Sequence, residues 1–256
     1  MKRKMIIMDL DGTLLRNDKT ISEYTKMIID ECHRMGSIVV FATARPERTT
    51  LTYIKMLNPN AVVSNNGAKI NCIDDEIRLF EMNSDNIKKL ISSLIKKKLF
   101  ICLDYEEYSL TNCPDYQKWI NWNAFYTPDF AKYDVIGMQK ISVRAANLEL
   151  FSDINFKSYG CNFYANHSDS WYMITSSDAS KARAVEIIAS HYGISMEDTI
   201  AFGDDQNDIE MLQTCGTGVA MENGISELKL MASCICPSNE NDGVAKWIEK
   251  NLLKIS

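Results

Sequence analysis

Residues 5–13, Met5-Ile6-Ile7-Met8-Asp9-Leu10-Asp11-Gly12-Thr13, run from four apolar side chains straight into two carboxylates and a turn. A short apolar run closed by turn residues reads as a buried strand, here over 4–10. Asp9 and Asp11 then sit at the C-terminal end of that strand, and in open α/β sheets this edge is where ligands bind. Carboxylates this close repel each other unless a cation compensates them. An all-oxygen donor set with no His or Cys nearby suits Mg²⁺ rather than zinc. Gly12 permits a tight turn against a ligand, and Thr13 offers a hydroxyl and an amide to anionic oxygens.

Outward from this strand, the chain alternates strand and helix signals. Thr20-Ile21-Ser22-Glu23 has the spacing of a capping box ahead of Met27, Ile28, Ile29 and Cys32, and Gly36 marks the stop. A β-branched run over 37–43, a helix over 47–57 and a strand over 61–64 follow. The same rhythm returns near the C-terminus: helix 180–191, strand 199–202, helix 207–213, strand 218–221, helix 225–231, strand 234–236 and helix 243–253. Such alternation predicts a Rossmann-like, doubly wound parallel sheet with helices on both faces.

The middle of the chain breaks the rhythm. One helix over 85–98 leads to strand-like runs over 100–104, 141–145, 160–165 and 171–175. This predicts an α/β core built from residues 1–80 and 177–256, with an α+β domain inserted over 81–176. The crossings are expected near 79–83 and 174–178. Trp119, Trp122, Phe125 and Tyr126 cluster in the insert. Trp119, Trp122 and Tyr126 are candidates for reading a ligand, although packing inside the insert is the expectation for such large aromatics.

The composition excludes several classes. A chain of 256 residues is long enough for one large domain or two smaller ones. No apolar run approaches the roughly 18 residues that span a bilayer. The basic Met1-Lys2-Arg3-Lys4 start resembles the n-region of a signal peptide, but Asp9 and Asp11 interrupt the apolar stretch behind it, which argues against export. A net charge of −6 disfavours nucleic acid or an anionic membrane as partner. Lys96-Lys97-Lys98, the one basic run, reads as a solvated helix end. Eight scattered cysteines without C-x-x-C spacing, and histidines (His33, His167, His191) far apart, point to reduced thiols in a cytoplasm rather than to disulfides or zinc. Cys234 and Cys236 have the spacing of one strand face.

Three further groups fall at predicted element ends. Gly203-Asp204-Asp205-Gln206-Asn207-Asp208 follows an apolar strand and opens a helix with more acids and amides than capping requires. Thr43 ends the strand Val39-Val40-Phe41-Ala42, with Ala44 and Arg45 behind it, and Lys181 opens the helix that follows the insert. The order Asp9/Asp11, Thr43, Lys181, Asp204/Asp208 resembles the haloacid dehalogenase superfamily of phosphotransferases across essentially the whole chain. The insert between Thr43 and Lys181, together with Asn65-Asn66-Gly67-Ala68, resembles the Cof-type branch with its large α/β cap. Thr43-Ala44-Arg45 stands where that branch usually has Thr-Gly-Arg, and Lys181-Ala182 stands for its Lys-Gly.

That resemblance implies a Mg²⁺-dependent phosphatase of phosphomonoesters, acting on a small phosphorylated metabolite such as a sugar phosphate or phosphorylated cofactor. It implies Asp9 as nucleophile and Asp11 as general acid and base. Mg²⁺ would be held by the Asp9 and Asp204 carboxylates and the Asp11 main-chain carbonyl, with Asp208 completing the outer shell. Thr43, Lys181, Asn207, Arg45 and Asn66 form the implied phosphate-binding set, with Asn207 orienting Lys181 or the phosphate. Two other readings share these residues. One is a sugar phosphomutase with the same core and cap. The other is a receiver-like phosphate-sensing module, although receivers are much shorter and lack a second carboxylate at i+2. A monomer or homodimer is expected.

Overall fold

The computed structural model describes residues 3–73, 77–82, 84–118, 123–133, 135–165 and 170–253. In chain order the first elements are β1 (Met5–Met8), α1 (Glu23–Arg34), β2 (Ile38–Ala42), α2 (Leu51–Leu57), β3 (Ala61–Ser64), β4 (Lys69–Cys72) and β5 (Ile77–Leu79). The middle supplies α3 (Ser84–Lys96), β6 (Phe100–Asp104), β7 (Ser109–Thr111), β8 (Ala124–Tyr126), β9 (Lys140–Arg144), β10 (Cys161–Ala165) and β11 (Trp171–Ser176). The chain then continues with α4 (Lys181–His191), β12 (Thr199–Gly203), α5 (Ile209–Thr214), β13 (Thr217–Met221), α6 (Ser226–Met231), β14 (Cys234–Cys236) and α7 (Gly243–Ile248).

These strands form two sheets. The larger has the order β14-β13-β12-β1-β2-β3-β4-β5 and is parallel except for the antiparallel β4 and β5. Every residue of β1, β2 and β3 is buried, so each strand must be apolar on both faces. Ile6, Met8, Val39 and Phe41 pack on one side with Ile28 and Ile29 of α1 and Val244 and Ile248 of α7. Met5, Ile7, Ile38 and Val40 face the other side, where α4 contributes Val185 and Ile188 and α5 contributes Met211 and Leu212. The second sheet has the order β10-β11-β9-β6-β7-β8 and covers α3 through Ile87, Leu90, Ile91 and Leu94. An α/β architecture with a parallel core sheet is what the strand–helix rhythm predicts.

Several details differ from the sequence expectation. The N-cap of α1 is Ser22, whose side chain accepts from the Thr25 amide, and not Thr20. Thr20 is instead held by Asp18 within the preceding turn. The helix expected over 47–57 is a 3-10 turn at Glu47–Thr49 followed by α2, and the one over 207–213 is likewise a 3-10 turn followed by α5. α7 ends in a π turn over Glu249–Leu253. Lys97 is not simply solvated, because its ammonium donates to Asp153 at 2.6 Å. Tyr126 is 47% exposed on the edge strand β8, which overturns the expectation that it is interior packing, and its neighbour Phe125 is 53% exposed. Trp119 and Trp122 lie outside the described residues.

All eight cysteines are free thiols, Cys234 half-buried and the rest buried. No helix among the described residues is long and apolar enough to cross a membrane. Phe41, fully buried at the centre of the main sheet, is the most direct probe of this packing. Phe41→Ala should cost about 3–5 kcal/mol of unfolding free energy. In urea unfolding that appears as a lower midpoint at unchanged slope. A loss under about 1 kcal/mol would contradict the packing described.

Candidate active site

The C-terminal edge of the main sheet gathers polar groups from the ends of β1, β2, β3 and β12 and from the start of α4. Strand pairing carries past β1, because the Asp9 amide donates to the Phe202 carbonyl at 3.1 Å. That register sets the Asp9 carboxylate beside the turn after β12. Lys181, the first residue of α4, brings its ammonium between two carboxylates. It donates to Asp9 Oδ1 at 2.6 Å and to Asp208 Oδ1 at 2.7 Å, with its side chain fully buried. Ser180 caps α4 by accepting from the Arg183 amide at 3.1 Å, which fixes where the helix and Lys181 begin.

Asp208 is already fully engaged. Its Oδ2 accepts from the amides of Asp204 at 3.0 Å and Asp205 at 3.2 Å, closing a capping box with Asp205. The Asp204 carboxylate accepts from the Thr13 hydroxyl at 2.7 Å. Gly12, with φ +78°, lies so close that a Cβ there would stand 2.3 Å from Asp204 Oδ2. A side chain there would be strained by the positive φ and would push the Asp204 carboxylate out of place.

Asp9, Asp204 and Asp208 each present a carboxylate oxygen within 4.8 Å of the others, the only such acidic or His/Cys group among the described residues. With all three carboxyls ionised, the one Lys181 ammonium would leave two negative charges uncompensated. Burial pushes the Asp9 carboxyl up to about 7; Lys181 opposes this, while Asp208 and Asp11 add to it. Burial, then the charges of Asp9 and Asp208, push Asp204 up to about 9. Burial acts to lower Lys181, but Asp208 and Asp9 outweigh it and hold its ammonium above the ordinary lysine range. A buried, hard-oxygen pocket with excess negative charge fits a divalent cation, and the residues present can hold one. Asp9 and Asp204 are the carboxylates free to ligate. Asp208, with both oxygens bonded, is placed to hold the turn and Lys181.

Asp11 stands apart from the cluster. Arg45 grips it with two hydrogen bonds, Nε to Oδ2 at 2.5 Å and Nη2 to Oδ1 at 2.6 Å, and Lys19 donates to Oδ1 at 2.7 Å. Burial works to raise Asp11, but these two cations hold it below the ordinary carboxylate range. Arg45 thus bonds a carboxylate here. Asn207 donates to Asn66 Oδ1 at 2.8 Å and makes no described bond to Lys181. The Asn66 amide nitrogen is fully buried with no protein partner. The Asn66 main-chain amide donates to the Thr43 carbonyl at 3.0 Å, so the turns after β2 and β3 are bonded to each other.

Ala44 and Ala182 both adopt ordinary negative-φ backbone, so alanine in place of glycine carries no conformational cost at either position. Ala182 lies inside α4, where alanine is the better helix former. Two contributors escaped the sequence reading. Lys19 reaches Asp11 from a loop, and Asn223 donates to the Gly12 carbonyl at 2.7 Å. Lys19 leaves no local signal. Asn223 does, since Glu222-Asn223-Gly224 follows β13 at the same sheet edge.

Comparisons with known proteins establish the family and the fold. The model of the haloacid dehalogenase-like hydrolase family matches residues 6–248, and the chain belongs to that family. It is 30% identical over 276 aligned residues to 5-amino-6-(5-phospho-D-ribitylamino)uracil phosphatase YitU of Bacillus subtilis, covering 97% of each chain. A haloacid dehalogenase-like hydrolase from Bacteroides thetaiotaomicron superposes with a TM-score of 0.85 at 24% identity, over 97% of this chain and 99% of that one. A subclass IIB sugar phosphatase of the same superfamily gives 0.84 at 21% identity, over 96% and 98%. At such identities the two structures establish the shared fold. The Cof-type resemblance read from the motifs is borne out.

The raised carboxyls dictate a pH dependence. A folded-state pKa above the ordinary carboxyl value of 3.8 means that the folded protein holds more protons than the unfolded chain between pH 3.8 and about 7 for Asp9, and about 9 for Asp204. Without a cation, these groups therefore erode stability as pH rises through those windows. Wild-type stability minus that of Asp204→Asn, read by thermal unfolding in chelator, should fall from pH 5 to pH 9. Adding Mg²⁺ should reverse the fall in wild type only, because ligands must be deprotonated to bind. A difference that stays flat with pH, and does not respond to Mg²⁺, would contradict this electrostatic account.

Proposed function

We propose that this phosphatase is Mg²⁺-dependent and hydrolyses small phosphomonoesters through a covalent aspartyl-phosphate on Asp9. The observation that carries the reading is the Asp9 carboxylate held by the buried Lys181 ammonium at 2.6 Å, inside a cluster with Asp204 and Asp208. The Asp9 and Asp204 carboxylates and the Asp11 main-chain carbonyl would hold Mg²⁺. When bound, the ion offsets repulsion between an anionic nucleophile and an anionic phosphate.

Asp9 forms the new oxygen–phosphorus bond while the bond to the leaving alkoxide breaks, and Asp11 supplies that alkoxide with a proton. Water then attacks phosphorus, Asp11 takes its proton, Asp9 is released as carboxylate, and inorganic phosphate departs. Thr43, Lys181, Asn66 and Arg45 hold the phosphoryl oxygens. The buried, unpartnered Asn66 nitrogen is a donor suited to this. Asn207, bonded to Asn66 Oδ1, keeps that nitrogen pointed away from itself. Arg45 has two anionic partners in this scheme. When its guanidinium moves from Asp11 to the substrate phosphate, Asp11 loses the stronger of the two cationic contacts that keep it ionised, Lys19 alone remaining, and more readily carries the acid proton.

Residues 1–80 and 177–256 form the catalytic core on this reading, and residues 81–176 a cap that excludes water and reads the leaving group. A sugar phosphate or phosphorylated cofactor is the substrate class, supported by the phosphorylated ribityl compound in the name of the Bacillus relative and by the sugar phosphatase of like fold. The eight free thiols support a reducing, cytoplasmic setting.

Asp9→Asn should lower kcat for any phosphomonoester by at least about 1,000-fold. Its circular dichroism spectrum should match wild type, since Lys181 keeps Asp208. Residual turnover within about tenfold of wild type would exclude Asp9 as nucleophile. Asp11→Asn should slow release of a sugar alkoxide far more than release of 4-nitrophenolate, which needs no proton. Equal losses on both substrates would remove Asp11 from the acid role.

A further inference from the structure

The turns after β2 and β3 do not hold their shape unaided. Asn65 and Asn66 are both left-handed, with φ 48° and 58°, and Gly67 follows at 99°. Consecutive left-handed residues persist only where their surroundings hold them, although asparagine tolerates the region better than most. The hold comes partly from the second sheet. Gln139, at the entry to β9, accepts from Asn65 Nδ2 at 2.6 Å with its Oε1. Its neighbour Lys140 donates its ammonium to the Ala44 carbonyl at 2.7 Å. Both residues are buried, and both are anchored on their own side. Gln139 donates to Glu106 at 2.9 Å, and Lys140 pairs with the fully buried Asp104 at 3.3 Å. Asp104 is itself held by Ser109 at 2.6 Å and by Arg48 at 3.3 Å.

Two successive side chains of one sheet therefore fasten the two turns of the other that carry Thr43, Arg45 and Asn66. Packing alone does not call for this. Burying the Lys140 ammonium with its carboxylate partner Asp104 is costly, and an apolar pair of similar volume would fill the space at no such cost. We infer that Gln139 and Lys140 are positioning residues for phosphate binding, so that seating of the six-stranded layer and assembly of the phosphate pocket are one event. Lys140 acts through the Ala44 carbonyl on Thr43 and Arg45. Gln139 acts through Asn65 on Asn66. The inference rests on the proposed reading that these turns bind the phosphoryl group.

The test compares Gln139→Leu, Lys140→Met and Lys140→Arg with wild type, and uses Lys97→Ala as a control in the same layer. The measurements are kcat and KM on 4-nitrophenyl phosphate, competitive inhibition by inorganic phosphate, thermal unfolding, and hydrogen exchange at residues 43–46 and 65–67. A displacement near one ångström costs up to about 100-fold in a reacting geometry. Gln139→Leu and Lys140→Met should accordingly raise KM and the phosphate inhibition constant by about tenfold or more, with a smaller change in kcat. Exchange at the two turns should accelerate, Lys140→Arg should recover phosphate affinity, and Lys97→Ala should match wild type. Unchanged phosphate inhibition in both variants would overturn the inference. So would a loss that merely follows a lowered Tm and is not recovered by Lys140→Arg. If wild type released no phosphate from any monoester, the proposed function would fall. The exchange arm would still decide the positioning claim, because unaltered exchange at both turns refutes it.

Discussion

One buried ammonium organises this molecule. Lys181 lies between Asp9 and Asp208 with no exposed side-chain surface, and the two acids come from chain segments on either side of a long insertion. Bringing them together requires β1 and β12 to pair in register and α4 to begin within reach of both. Such a pair is not a strong source of stability, since desolvation consumes much of the Coulomb attraction. Its value is chemical. It holds a carboxylate in a fixed orientation in a pocket whose remaining negative charge suits a divalent cation and then a phosphate ester.

The hydrophobic layers serve that placement. With three central strands buried on both faces, the sheet has no freedom to slip, because a one-residue shift would exchange its two apolar faces with their helices. The strand ends are therefore held in place, and the groups there, Asp9, Thr43 and Asp204, inherit that order. The second sheet adds a polar seam rather than more apolar packing. Arg48, Asp104, Lys140, Gln139, Lys69 and Glu106 interlock across the boundary, with Asp104, Lys140, Gln139 and Lys69 buried, Arg48 half-buried and Glu106 exposed at the rim. Networks of this kind are geometrically demanding, so they specify one seated arrangement over near alternatives.

Much of this was legible in the chain because the determinants are local. Fully buried parallel strands must be short, dense apolar runs, and β1, β2, β3 and β12 announce themselves in that way. Asp9, Asp11, Thr43, Asp204 and Asp208 stand out because they interrupt those runs at their ends. What was not legible is long-range or too short to show a period. The hairpin of β4 and β5 and the three-residue strands β7 and β8 offer too few residues for alternation to be read. Ser22 displaced Thr20 as helix cap because Asp18 already engages Thr20. The bonds of Arg45 to Asp11, Asn207 to Asn66 and Lys140 to Ala44 join residues far apart in sequence, and a single chain carries no mark of such pairing. The exposure of Tyr126 is not legible either, because aromatic bulk does not reveal that a strand lies at a sheet edge.

The central claim is that Asp9 becomes phosphorylated in every catalytic cycle. Its most direct test is to quench the enzyme during turnover of 4-nitrophenyl phosphate, reduce any acyl phosphate with borohydride, and sequence the peptides by mass spectrometry. The account predicts homoserine in place of aspartate at position 9 and nowhere else, dependent on substrate. Steady release of phosphate with an unmodified position 9, or with reduction at another carboxylate, would contradict it.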